Sequence, residues 1–458
     1  MEQNCNCPEI AHLGWKAMAL NGGDSADALP RKPIPTLLTV NGHQKVEKMP
    51  SAPDVLWDLE KDQYDMLTGT FGFLFKFAKY SGCYIPLQKE HDIHPVVYYL
   101  RWAFIGTVVG LASYQTTYGF FYVLFQADYS AMTALTIVEL TWSFQSILSI
   151  FFLIYWQRKN YINNLFRLSH KVNKSAAHVE AKPYIYFVFK FMFCLSLVVL
   201  LICIVTILSV ACGFYEYLML DLKAMMAYGT EKLIPLNVVI FTYTYFSWMW
   251  CMGYYVMLTI MAYSESEYFN RQLATVGKNG RETGEELLEF YLKHCRLVDM
   301  ISHLDQTFEV YIFAMIGSNI PTTIFSLLAF FINMRASWYA ALFTLPSVIV
   351  CIITLVGLTA VPAKLHSSVG KIEKILYTNK RIWMSYCEKT YQIAQVFLNH
   401  VNQTDLGVSV WGFAVVTKPL ILTTVSLTIT YLSFLLQMKS DFVPTVPVLP
   451  PKTIPDLF

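Results

Sequence analysis

A carboxylate stands well inside a long apolar run: Glu139, in the segment VELTWSFQ, lies nine residues into that run. Ionisable groups are costly inside an apolar helix of membrane length, so such a residue marks a functional site by default. A structural hydrogen bond to a neighbouring helix explains it equally well. We predict Glu139, and Trp142 in the same segment, as ligand-binding residues.

Aromatic residues recur at helical spacing in a later apolar run, VVIFTYTYFSWMWCMGYY. They are Tyr243, Phe246 and Trp250, and such stripes serve packing more often than binding. We include them as candidate ligand-binding residues. In the segment GSNIPTT, Pro321 makes either an ordinary bend or a kink that frees backbone groups beside a pocket. We include Asn319, in the same segment, among the candidate ligand-binding residues.

The last apolar run carries hydrogen-bonding side chains towards its end, in TYLSFLLQMKS over 430–440. Gln437, Ser433, Thr430 and Thr423 are separated by three, four or seven positions and share one stripe of a helix. An unsatisfied polar group in hydrocarbon costs several kcal/mol. We therefore expect this stripe to face water or a partner helix.

No catalytic or cofactor constellation is visible. The chain has no Walker loop, no GxSxG and no HExxH, and neither the lone Cys5–Cys7 pair nor the HDIH at 91–94 forms a convincing metal site. A net charge of +2, without a basic patch interleaved with aromatics, argues against nucleic acid as a partner. We expect no enzyme activity, no cofactor and no bound metal.

The composition is that of a membrane protein. Of the 458 residues, 55% are hydrophobic and only 14% are charged, against about 25% in an ordinary soluble domain. A membrane-spanning helix needs ~20 apolar residues. The sequence contains seven such runs, at 98–125, 130–156, 184–213, 236–264, 308–332, 338–362 and 418–438.

The distribution of basic residues predicts the orientation. Lys and Arg are concentrated in 157–183 and 363–417, whereas the connections on the other side are poor in them. Basic loops lie on the cytosolic side. With seven spans, this places the N-terminus in the cytosol and the C-terminus outside.

The remaining segments complete the predicted organisation. Segment 264–306 breaks at GKNG and then resumes helical spacing, so we predict helices that continue below the membrane, and 385–404 is predicted as another cytosolic helix. The predicted parts are a flexible cytosolic segment 1–63, an interfacial or re-entrant helix 64–97, six transmembrane helices and their insert 264–306 within 98–362, cytosolic anchor helices 363–417, a last span 418–438 and an extracellular tail 439–458.

The last span resembles a known signature. Thr430 and Tyr431, then five mostly apolar residues and Gln437, are similar to the terminal helix of insect gustatory receptors, which has Thr-Tyr, five hydrophobic residues and Gln-Phe. Lys418, twelve residues before Thr430, stands where members of that family often carry a basic residue. It follows Thr417 and precedes Pro419, a typical helix start. The inverted topology, the long fourth-to-fifth connection and the cytosolic helix before the last span are similar too.

Two positions depart from the family pattern, and a third bears on the type of receptor. Met438 replaces the usual Phe, and Ser433 places a hydroxyl among the five hydrophobic residues. Leu432 stands where the sugar-receptor branch typically has Glu, which weakens a sugar-receptor interpretation. The stimulus stays open among sugars, bitter compounds, carbon dioxide, and the light or peroxide sensed by related nematode proteins.

The resemblance implies an all-α ligand-gated, non-selective cation channel in the plasma membrane of a sensory neuron. It implies a homo- or heterotetramer related to the insect odorant receptors, with a tastant bound in the outer half of the helix bundle and the last helix lining the pore. The residues expected at the pore and gate are Gln437, Met438, Leu436, Ser433, Thr430, Tyr431 and Lys418.

Two other classes of function are weighed against the channel. A metabotropic seven-helix receptor has the opposite topology, and its Asp-Arg-Tyr and Asn-Pro-x-x-Tyr signatures are absent. A membrane transporter is disfavoured because the chain shows no internal repeat.

Overall fold

The computed structural model describes residues 95–125, 131–173, 176–212, 233–278, 281–336, 338–384, 387–403 and 405–440. These residues form an almost entirely helical protein. The helices are α1 (Pro95–Phe125), α2 (Ala131–Arg158), α3 (Tyr161–Asn173), α4 (Ala176–Ala211), α5 (Ile234–Leu273), α6 (Thr283–Ala336), α7 (Trp338–Val369), α8 (Lys371–Thr378), α9 (Lys380–Met384), α10 (Glu388–Gln403) and α11 (Lys418–Ser440). A short hairpin, β1 (Ser409–Val410) and β2 (Ala414–Val415), precedes α11.

Within the described part of the chain, six helices are long and apolar enough to cross a membrane: α1, α2, α4, α6, α7 and α11. The predicted fourth span, α5, forms a helix of 40 residues but is not among the six. Its Tyr, Trp, Ser and Thr side chains lower its mean hydropathy. They are tolerated because α5 lies at the centre of the bundle, in contact with α1, α2, α4, α6 and α7, and most of its residues are buried.

Two helices extend well beyond a bilayer. α5 has 40 residues and α6 has 54, or about 60 Å and about 80 Å at 1.5 Å per residue, whereas the hydrocarbon core is ~30 Å thick. The chain turns between them at the predicted GKNG break. Gly277 adopts φ 77°, a left-handed conformation that suits glycine, and its N–H donates to Glu286 Oε2 at 2.9 Å.

The extensions of α5 and α6 form a layer with the shorter helices at one end of the bundle, the end that the sequence predicts to be cytosolic. The side chain of Trp156, at the end of α2, donates from Nε1 to the Thr307 carbonyl oxygen on α6 at 2.9 Å. α3 then runs along α6, where His303 Nε2 lies 3.1 Å from the Tyr161 carbonyl oxygen. The predicted cytosolic helix 385–404 corresponds to α10, which packs on α6 and α8. One continuous hydrophobic core joins this layer to the inner part of the bundle.

The hairpin fastens the start of α11 to α6. The Ser409 N–H donates to Asp305 Oδ1 at 2.5 Å, and the Trp411 N–H donates to the Glu309 carbonyl oxygen at 3.3 Å. Trp411 and Gly412 both have positive φ, 50° and 71°, as the two central residues of a tight hairpin turn require. α11 begins at Lys418, as the sequence predicts.

Several predicted features lie outside the described residues. They are the segment 1–63, the interfacial helix 64–97 as far as residue 94, the tail beyond residue 440, the Cys5–Cys7 pair and the HDIH at 91–94.

Candidate ligand site and pore helix

The first part of the candidate ligand site lies where α2 packs on α5. The Trp142 ring meets Tyr245 edge to face at 6.3 Å between ring centroids, and it stacks on Trp248 at 6.5 Å. The Tyr245 hydroxyl donates to the Glu139 carbonyl oxygen at 3.1 Å, and the Glu139 carboxylate lies close enough to act electrostatically on that hydroxyl. Two of the predicted ligand-binding residues, Glu139 and Trp142, therefore lie together against α5.

Buried amides join this part to α6 and α7. Gln145 Nε2 on α2 donates to Ser318 Oγ on α6 at 2.8 Å, and Asn319 Nδ2 donates to the Cys351 carbonyl oxygen on α7 at 3.2 Å. Gln145 and Asn319 are 1% and 0% exposed. The Cys351 thiol lies beside the Trp142 indole, which links the two parts. We call the set the central cluster: Glu139, Trp142, Gln145, Tyr245, Trp248, Ser318, Asn319 and Cys351.

Some buried polar atoms of the central cluster have no hydrogen-bond partner among the residues that the structure describes. They include Gln145 Oε1, Asn319 Oδ1 and the indole Nε1 of Trp248. A buried group left unpaired costs ~1–3 kcal/mol, and proteins normally satisfy such groups with water or a ligand. The cluster therefore has carbonyl acceptors and an N–H donor that a small polar molecule could satisfy.

The predicted aromatic stripe on α5 faces elsewhere. Tyr243 contacts Phe104 on α1 edge to face at 5.4 Å between centroids. Phe246 packs on Trp250 at 6.4 Å, and Trp250 meets Phe189 on α4 at 6.3 Å. The rings that meet Trp142 lie two positions away from members of this stripe, which is a rotation of about 200° around a helix. The structure thus brings Glu139, Trp142 and Asn319 into one cluster but not the three stripe residues.

The sequence gives little sign of the other members of the central cluster. Tyr245 and Trp248 sit in a segment, 241–250, in which six of the ten residues are aromatic, so periodicity does not separate them from their neighbours. Ser318 and Cys351 are common helix-packing residues in apolar runs. Gln145 carries the one usable signal, because an amide in the middle of a membrane-length run requires a hydrogen-bonding partner.

The predicted pore helix, α11, packs one face against α6 and α7 and leaves the other exposed. The buried face carries Thr424, Thr428 and Leu432. Among the exposed residues near its end are four of those predicted for the pore, Thr430, Tyr431, Ser433 and Gln437. Leu436, also predicted for the pore, is half-buried. Lys418 is exposed at the first position of the helix, and Met438 lies within the last turns.

Five hydroxyl groups of α11 are satisfied within the helix itself. Thr423, Thr430 and Ser433 each donate to the carbonyl oxygen four residues earlier, at 3.0, 2.9 and 2.8 Å. Thr424 and Thr428 do the same on the buried face. Back-bonding to the preceding turn removes the cost of an unpaired group, so these hydroxyls do not by themselves require water or a partner helix. That the stripe faces one of the two stays a prediction.

Comparison with known proteins identifies the class. The model of the 7tm chemosensory receptor family matches residues 72–442. The fold is similar to the insect olfactory receptor OR5 from Machilis hrabei, with a TM-score of 0.64 and 13% identity over 80% of this chain and 99% of that one. The same receptor in complex with eugenol gives 0.63 and 12% over the same shares. No curated protein sequence matches the chain significantly. Because the family model spans most of its length, the chain belongs to the 7tm chemosensory receptor family.

Proposed function

We propose that this receptor is a ligand-gated, non-selective cation channel, in which a small molecule binds at the central cluster and α11 lines the pore. The observation that carries the proposal is the pair of buried amide oxygens on α2 and α6 in the central cluster, which also contains the aromatic rings of α2 and α5. A helix bundle folded for stability alone has little reason to bury Gln145 Oε1 and Asn319 Oδ1 without partners. The solved receptor of the same fold with bound eugenol supports a small-molecule site in this architecture.

The pore is assigned to the exposed face of α11. This face lies on the outside of the described helices, so the proposal requires several copies around an axis, and we propose a homo- or heterotetramer of gustatory-receptor type. In that arrangement Gln437, Ser433 and Thr430 provide a hydrophilic rim, and Leu436 and Met438 provide the apolar gate. Lys418 stands at the cytosolic mouth.

The proposed coupling between site and pore runs through α6. Asn319 of the central cluster and Glu309, which accepts the hydrogen bond from the hairpin, are ten residues apart on this helix, or about 15 Å. A ligand that shifts α6 therefore moves the hairpin, and with it the start of α11. Asp305, one turn further along α6, holds the same hairpin at Ser409.

The proposed setting is the plasma membrane of a sensory neuron, with the N-terminus in the cytosol and a tastant as the stimulus. The basic loops 157–183 and 363–417 support this orientation. The metabotropic alternative needs the opposite orientation, and the transporter alternative needs substrate accumulation without a ligand-gated current.

The test is to express the chain in cultured cells and to screen tastants and odorants by calcium imaging and whole-cell recording. We expect a cation current that persists in excised patches without GTP. Gln145→Leu should raise the half-activating concentration about tenfold, because one buried hydrogen bond to the ligand is lost. Gln392→Leu removes an amide from the exposed face of α10 and should leave the concentration unchanged. A response that requires GTP, or a current insensitive to Gln145→Leu, contradicts the proposal.

A further inference from the structure

One stripe of α4 is exposed from the second turn of the helix to its last turn. Its members follow one another at spacings of three or four residues, so they lie on the same side of the helix. The stripe begins with two lysines on either side of a tyrosine and continues with large apolar side chains only. We call these exposed residues the α4 stripe: Lys182, Tyr186, Lys190, Phe193, Leu197, Leu201, Ile204 and Leu208.

The two lysines of the α4 stripe take part in no ion pair or hydrogen bond among the residues that the structure describes. Glu180, the nearest acidic residue in the sequence, pairs with Arg271 on α5 instead. The α4 stripe itself contains no acidic residue, so the same stripe of a second copy has nothing to offer these lysines. The charge of this end of the stripe therefore favours an anionic partner.

Both lysines lie close to the boundary of the membrane. Lys182 is two residues before the predicted span 184–213, and Lys190 is six residues beyond its start, or about 9 Å along the helix. Lys190 Nζ lies 4.7 Å from the centre of the Tyr186 ring, so this side chain runs back towards the start of α4. Lysines near the ends of membrane helices extend in this way to bring their ammonium group to the headgroup region. Lys182 and Lys190 thus place two positive charges at one level of the bilayer.

We propose that the α4 stripe binds an anionic phospholipid, with the headgroup at Lys182 and Lys190 and an acyl chain along the apolar residues. The phosphate and the further negative charge of the headgroup compensate the two ammonium groups, and tyrosine is suited to the interface between them. The apolar part runs from Phe193 to Leu208, fifteen residues or about 22 Å, which is long enough for the chain of one leaflet.

The lipid site is independent of the ligand site proposed above. The predicted orientation assigns it to the cytosolic leaflet, which is the leaflet that contains anionic lipids. Because α4 packs along α5 at the centre of the bundle, a lipid held on its outer side contacts the helix that supports the central cluster from behind.

The test is photo-crosslinking of the full chain in phosphatidylcholine vesicles. The vesicles contain a small fraction of a phospholipid with a diazirine in its acyl chain, with either a phosphatidylserine or a phosphatidylcholine headgroup. Mass spectrometry of the labelled peptides gives the ratio of the two labels on α4. The reference is the exposed apolar face of α7, which includes Leu345, Ile349, Ile352 and Val356. We expect the ratio of phosphatidylserine to phosphatidylcholine label to be about tenfold higher on α4 than on α7.

The variants identify the residues responsible. Lys182→Gln and Lys190→Gln should each lower the ratio on α4 about threefold, and the double variant should bring it to the value on α7. Lys278→Gln removes the same charge from an exposed position in the turn between α5 and α6, and should leave the ratio unchanged. Equal thermal stability of the purified variants shows that each one folds.

Three results overturn the inference. The first is an equal ratio on α4 and α7 in the unchanged chain, and the second is a preference for phosphatidylserine that survives the double variant. The third is labelling of α7 with no labelling of α4 by either lipid, which shows that another protein surface covers the stripe.

Discussion

The imidazole of His294 on α6 meets that of His400 on α10 edge to face, with 5.3 Å between the ring centroids. Phe269 on α5 and Phe397 on α10 lie against the same ring, at 6.0 and 5.1 Å. His294 is fully buried, and neither of its ring nitrogens has a hydrogen-bond partner among the described residues. It lies fourteen residues before the predicted span 308–332, or about 21 Å along α6, so this contact belongs to the layer formed by the extensions of α5 and α6.

We predict that acid destabilises this layer through His294. Burial, with a smaller contribution from the neighbouring His400, lowers the pKa of His294 from 6.5 to about 3. As the pH falls through 6.5, His294 binds a proton in the unfolded chain but not in the folded chain. The contribution of His294 to the free energy of unfolding is therefore constant above neutral pH and decreases between about pH 6.5 and 3. At pH 5 the loss is about 2 kcal/mol.

The measurement is the thermal stability of the detergent-purified receptor at pH 7.5 and pH 5. His294→Phe keeps an aromatic ring in the same packing and should remove most of the decrease between the two values. His303→Phe is the matched control, because His303 lies on the same helix at a half-buried position. Equal acid sensitivity in His294→Phe and the unchanged chain disproves the prediction.

The predicted orientation has a direct test. An epitope placed after Phe458 should be labelled by antibody on intact cells, and an epitope before Met1 should require permeabilisation. The physical reason is the excess of Lys and Arg in 157–183 and 363–417, which keeps these loops in the cytosol. Labelling in the reverse pattern excludes the channel topology and favours the metabotropic alternative.

The two aromatic faces of α5 should differ in their effect on ligand response. Trp248→Leu removes a ring that stacks on Trp142, and we expect the half-activating concentration to rise about tenfold because ring stacking and area burial are lost together. Phe246→Leu makes a similar change on the face turned towards Trp250 and should have less than about a threefold effect. Dose–response curves at matched surface expression decide between the faces. A larger effect of Phe246→Leu assigns the ligand to the stripe predicted from the sequence instead.

The proposed pore is tested at Gln437. Gln437→Glu places a ring of carboxylates at the outlet of a tetramer and should raise the permeability of divalent cations relative to sodium. Reversal potentials under bi-ionic conditions measure this change, while the half-activating ligand concentration should stay within about twofold, since the substitution is remote from the central cluster. Gln392→Glu, the same change on the exposed face of α10, is the control. If the dose response moves and the reversal potential does not, Gln437 does not face the pore.

The sequence by itself determined the long helices and some of their ends. Long apolar runs correspond to six membrane-length helices because backbone groups in hydrocarbon must be satisfied within each segment. The break at GKNG and the start at Lys418 are equally local, since glycine permits the turn and Thr417-Lys418-Pro419 favours a helix start. Glu139 stood out for the same kind of reason, as a charge in an apolar run.

Only the tertiary structure decided which faces of these helices meet. Six of the ten residues 241–250 of α5 are aromatic, so the sequence does not distinguish Tyr245 and Trp248, which meet Trp142, from Tyr243 and Trp250, which meet α1 and α4. Which aromatic residues of α5 meet α2 depends on how α2 and α4 pack around α5, and that packing results from many long-range contacts. The same holds for α11, whose hydroxyls bond to their own helix on both faces. Its exposed face is decided by α6 and α7, which cover the opposite face.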